Sequence, residues 1–185
     1  GIYNSLINIP YERLLRNSLV RQIAEEVDST FLPNMLNDPD GRIRNIIANR
    51  ISVRFLKRFI VTDYNNMTIM FTLIQRASAN NEIEILEKLS THFDPDVRYE
   101  VAEVIPKQYF HYFDNESNGM VQKKIYNRKQ IYEKYNITQE DVDFFQNHFL
   151  ISPKLLQTEP FKKLGSTSEN PSKESVEIID ELYNN

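Results

Sequence analysis

The first candidates for acid–base or metal chemistry are three histidines, His92, His111 and His148, and the chain contains no cysteine to join them. None has a second histidine at the i, i+4 spacing of helical zinc sites, so a metal would need ligands gathered from separate elements. A Gly-x-Ser-x-Gly elbow, a Walker loop and a dinucleotide fingerprint are all missing, and only four glycines are present to build a phosphate cradle. Glu25 with Glu26, and Asp94 with Asp96, read as solvated faces and helix caps rather than as a general acid with its base. The residues therefore point to no catalytic group, no metal and no cofactor, and the chain reads as a non-enzyme.

Charge carries more information. Between Asp40 and Asp63 no acidic residue occurs, yet Arg42, Arg44, Arg50, Arg54, Lys57 and Arg58 all do, inside a chain with 22 basic and 26 acidic residues and a formal charge of −4. Wound as one helix over residues 50–60, Arg50, Arg54, Lys57 and Arg58 share an arc of about 100°, a cationic ridge above an apolar base. Two readings stand: an outer face whose arginines pair with acids of neighbouring elements, or a surface for an anionic partner, since guanidinium groups favour carboxylates and phosphates. Lys123, Lys124, Arg128 and Lys129 form a second cationic run around Tyr126, where the same choice arises between a core or rim tyrosine and a stacking platform. The acid collects late: residues 131–185 hold ten acidic and five basic residues.

The elements that must position these groups are helical, with no strand signal competing. Residues 38–48 read Asp-Pro-Asp-Gly-Arg-Ile-Arg-Asn-Ile-Ile-Ala and residues 94–102 read Asp-Pro-Asp-Val-Arg-Tyr-Glu-Val-Ala. In each, Asp38 or Asp94 is placed to cap a helix whose first turn Pro39 or Pro95 pre-sets. Aligned on the small residue, Leu19…Ala24…Val27, Ile43…Ala48…Ile51 and Val97…Ala102…Ile105 repeat one apolar–small–apolar pattern. Shorter second helices are expected over 31–36, 53–61 and 83–89, and a unit without the signature over 63–89. Repeated helix–turn–helix units bury their apolar faces only against their neighbours.

This Asp-Pro-Asp…hydrophobic-Arg…Ile-Ala signature at about 24-residue spacing, over roughly residues 17–113, resembles HEAT-like α-solenoids and especially their leucine-rich repeat variant. The resemblance implies an all-α fold, a short right-handed superhelix of helical hairpins. It also implies a hydrogen bond along the stack between an aspartate and the arginine six positions later, here Asp38 and Arg44. The second copy departs from this, since Arg98 follows Asp94 by only four. The iron–sulfur module known with the leucine-rich variant is ligated by cysteines, which this chain lacks.

Three regions follow: repeats over 1–113, a helical extension over 114–163, and a linker with a short acidic amphipathic helix over 164–185. The extension begins at the polar cluster 114–119 and carries helices over 121–135 and after Thr138; residues 165–175 read as a connector. No stretch reaches the roughly 18 apolar residues of a membrane span, no basic-then-apolar leader is visible, and Gly1 with Ser5 would fit N-myristoylation behind a removed methionine. The function expected is a cytoplasmic interaction module that binds a protein partner, anionic or amphipathic, along Arg42, Arg50, Arg54, Lys57 and Arg58, with Lys123, Lys124 and Arg128 as a second patch. A further expectation is that the acidic helix 176–183 docks on the groove of the solenoid, of its own chain or of a second copy in self-association. The alternative is a nucleic-acid binder similar to the HEAT-like DNA glycosylases of alkylation repair, against which stand the absence of tryptophan and the acidic balance.

Overall fold

The computed structural model describes residues 13–134 and Asn136, and every regular element among them is helical. These are α1 (Arg13–Glu26), α2 (Gly41–Arg50), α3 (Lys57–Thr62), α4 (Met67–Ala79), α5 (Ile83–Ser90), α6 (Pro95–Val104) and α7 (Gly119–Lys134). Three 3-10 segments, Ser29–Met35, Val53–Phe55 and Lys107–Phe113, join them. The chain forms two compact units that part inside α4, between Arg76 and Ala77. The helices expected after Thr138 and over 176–183, the connector 165–175, His148 and the Gly1/Ser5 pattern lie outside the described residues.

In the first unit α1 packs on α2, and α2 on the 3-10 segment Ser29–Met35. Ala24, Ile43, Ala48 and Ile51 of the repeated pattern are buried, but the outermost apolar position of the first copy is not. Leu19 is 40% exposed, and Val20, one turn before the buried Ala24, takes the buried place. The segment expected as a helix over 31–36 is a 3-10 turn opened by Asp28, whose carboxylate accepts from Thr30 N–H at 2.9 Å. In the second unit α5 packs on α6, α6 on α7, and both α5 and α7 on the 3-10 segment Lys107–Phe113. That segment buries Phe110 and Phe113 and leaves His111 exposed.

The two acidic Pro turns differ from the reading given above. Asp40, not Asp38, is the N-cap of α2, accepting from Arg42 N–H at 2.9 Å, while the Asp38 carboxylate is spent on the N–H of Asp40. Pro39 therefore stands outside the helix, exposed, whereas Pro95 is the first residue of α6 behind its N-cap Asp94. With the caps matched, Arg44 and Arg98 both stand four residues after their cap, and the two turns are equivalent. Each arginine donates to the carbonyl six residues earlier, Arg44 to Asp38 O at 2.6 Å and Arg98 to His92 O at 2.8 Å. The expected Asp38–Arg44 bond thus exists, but through the main chain.

A second arginine set closes the other helix ends. The last carbonyls of an α-helix have no intrahelical donor and carry the negative end of the dipole, so a guanidinium placed there satisfies both. Arg50, on the last turn of α2, donates to Ala24 O and to Val27 O, the latter at 2.7 Å, at the end of α1. Arg76 of α4 donates to Ala48 O of α2 at 2.7 Å. Arg128 of α7 donates to Ala102 O and Ile105 O at the end of α6, at 2.7 and 2.8 Å. The arginine follows the alanine of the repeat by 26, 28 and 26 residues.

Arg128 is 2% exposed, so losing it strands two buried acceptors. Arg128→Met is expected to lower the unfolding free energy by roughly 2–4 kcal/mol in urea denaturation, while the exposed Arg54→Met stays within about 0.5 kcal/mol of wild type.

Candidate functional site

The cationic ridge does not run along one helix. Ile51 ends α2 in an extended conformation, Ser52 follows outside any helix, and the chain restarts in Val53–Phe55 and α3. Arg50 therefore belongs to the helix before the break, half-buried on the α1 carbonyls, and is not presented with the others. Arg44 is also turned inward: its Nε and Nη2 reach Asp63 Oδ1 at 2.9 and 2.7 Å, and the Asp63 side chain is fully buried. Arg42 is exposed but engaged, with Nη2 2.8 Å from Asp40 Oδ2, a hydrogen bond that raises its pKa.

Arg54, Lys57 and Arg58 remain at the surface. The Arg54 guanidinium lies 4.8 Å from the centroid of the half-buried Phe55 ring, and the Arg58 guanidinium has no partner among the described residues. Lys57 and Val61, four apart on α3, share a face, and Val61 is 85% exposed. At the end of α3 an open, polar cleft of about 500 Å³ is lined by Val61, Thr62, Tyr64, Asn66 and the Arg44–Asp63 pair. Thr62 Oγ1 donates to Asp63 Oδ2 at 2.7 Å, so both carboxylate oxygens of Asp63 are bonded at the cleft wall. This surface offers guanidinium donors suited to bidentate carboxylate or phosphate contacts beside one apolar side chain.

The second cationic run divides in the same way. Arg128 is clamped inside, with Phe110 below its guanidinium at 4.7 Å, and burial lowers its pKa against the opposing influence of Tyr132. Lys124 binds Glu103 at 2.9 Å and lies 5.0 Å from the Tyr99 ring. Its burial works against the charge, but Glu103 and Tyr99 outweigh it and raise the pKa. Neither residue is placed to meet a partner; Lys123, Tyr126 and Lys129 are exposed.

Arg98 completes the inward set. Its Nε and Nη2 reach the two oxygens of Glu116 at 2.7 and 2.9 Å, a bidentate pair with the glutamate side chain 4% exposed. Asp63 and Glu116 thus play one role, 19 and 18 residues after their arginines, a spacing the sequence contains but that becomes meaningful only once the turns are matched. His92, 1% exposed, accepts from Asp94 N–H at 3.0 Å through Nδ1 and shapes the entry to α6. Among the described residues no three His, Asp or Glu side chains are grouped to hold a metal ion, and no helix is long and apolar enough to cross a membrane. The chain matches no protein-family model, no curated protein and no solved structure.

The Arg98 hydrogen bonds hold the Glu116 carboxyl below its ordinary range, against the opposing effect of burial. A carboxylate with a lowered folded pKa adds stability above its unfolded value, near 4.3, and loses it as pH falls through the folded one. Glu116→Gln is expected to lower the thermal midpoint at neutral pH and to flatten its decline below about pH 5, as read by melting curves across a pH series.

Proposed function

We propose that this chain is a short α-solenoid of HEAT-like or leucine-rich-variant hairpins that works as a non-enzymatic interaction module. It binds an anionic or amphipathic protein segment on the surface formed by Arg54, Lys57, Arg58 and Val61. The observation that carries this reading is the division of labour among the arginines: Arg44, Arg50 and Arg98 are committed to carboxylates and carbonyls within the fold, while Arg54, on the 3-10 segment Val53–Phe55, and Arg58, on α3 with the exposed Val61, are exposed. A solenoid arrangement is supported by the repeated hairpins and their equivalent arginine contacts within each unit. A cytoplasmic location is part of the same proposal.

The test is capture of binding partners by wild type beside Arg54→Glu/Arg58→Glu, whose fold is expected to stay within about 0.5 kcal/mol of wild type because both sites are solvent-exposed. The variant is expected to lose a companion that the wild type retains, and unchanged companions would refute the surface. A salt series on that companion separates chemistries. A protein segment held partly by Val61 loses affinity gently, whereas a nucleic acid would show a steep linear fall of log affinity with log salt.

A further inference from the structure

Helix α7 has two unlike sides. Val121, Ile125, Arg128 and Tyr132 are buried, while Met120 and Tyr126 are 71% and 61% exposed. Lys123 and Lys129, also exposed, alternate with them at successive i+3 steps, so the four side chains descend one half of the helix over about 13 Å. Lys124 has its carboxylate in Glu103. Among the described residues Lys123 and Lys129 have none, and the Tyr126 ring touches no other ring. A thioether and an aromatic ring set between two uncompensated ammonium groups match an acidic segment that also carries apolar side chains.

The chain contains such a segment. Residues 137–185 hold nine acidic and four basic residues, and the ten residues 174–183 hold four of the acids, Glu174, Glu177, Asp180 and Glu181, which alternate with Val176, Ile179, Leu182 and Tyr183 with no basic residue between them. Asn136, just past α7, has a left-handed φ of 51°, the turn that takes a chain out of a helix. The 37 residues 137–173 span at most on the order of 120 Å, against about 24 Å for the whole of α7, so length does not keep 174–183 from this face. Covalent attachment makes the encounter intramolecular, so it does not depend on the concentration of the protein.

We infer that the acidic segment 174–183 docks on the outer face of α7 of its own chain, its carboxylates against Lys123 and Lys129 and its apolar side chains against Met120 and Tyr126. The inference is independent of the surface on α3.

The test uses the full chain with Tyr126→p-benzoylphenylalanine, irradiated and digested for mass spectrometry. Cross-links within one chain to 174–183 are expected. Lys123→Glu/Lys129→Glu should lower their yield roughly five- to tenfold, as expected for two partly exposed ion pairs. Adding Glu174→Lys/Glu177→Lys/Glu181→Lys should restore the yield, a rescue that damage to α7 would not allow. Three results would overturn the inference: cross-links between two copies, cross-links only to other residues, or a yield indifferent to both charge reversals. Circular dichroism identical to wild type is expected for every variant, since the altered positions are exposed or lie in the acidic segment.

Discussion

The constraint on which this fold rests is the unsatisfied carbonyl at the end of a short helix. Helices of 10 residues, such as α2 and α6, leave a large share of their acceptors without intrahelical donors, and their ends are packed against neighbours rather than bathed in water. Arginine solves this with one side chain, because its forked donors reach two carbonyls at once while its charge complements the helix dipole. Arg50 and Arg128 do this at the ends of α1 and α6, Arg76 reaches Ala48 O near the end of α2, and Arg44 and Arg98 brace the turns that enter α2 and α6. The apolar seam of valine, isoleucine and alanine supplies the bulk of the burial, and the guanidinium contacts make that burial compatible with polar backbone.

The same constraint explains why positive charge is a poor guide to the binding surface when read along the chain alone. Six basic residues between Asp40 and Asp63 look like one patch. Three of them are consumed locally, by Asp63, by the α1 carbonyls and by Asp40, and three remain outside. Half of the +6 of the segment is thus structural charge.

Much of the architecture was legible in the sequence. The helical period, the burial of Ala24, Ala48 and Ala102, the Asp94–Pro95 start of α6 and the presence of helices between residues 63 and 90 all followed from spacing and capping chemistry. What misled was local identity. The Asp-Pro-Asp motif occurs twice with different offsets, so matching aspartate to aspartate misaligned the turns by two residues, although the alignment on Ala48 and Ala102 already pairs Asp40 with Asp94 and Arg44 with Arg98, as the hydrogen bonds do. The break at Ser52 agrees with a second helix starting at Val53, and it is the winding of 50–60 as one cationic helix that overlooks it. The partners of Arg44 and Arg98 were hidden for another reason: a contact across 18 or 19 residues has no local signature, and the acid is aspartate in one case and glutamate in the other.

That the helix-end arginines address main-chain oxygens has a consequence for how this protein tolerates change. A carbonyl is present whatever amino acid occupies the position, so the preceding helix can be rewritten residue by residue without removing the acceptor its neighbour depends on. For this contact only two things must persist, the arginine itself and a side chain small enough to let it in. Helices joined on such terms are free to diverge at the positions outside the apolar seam without loosening their ends.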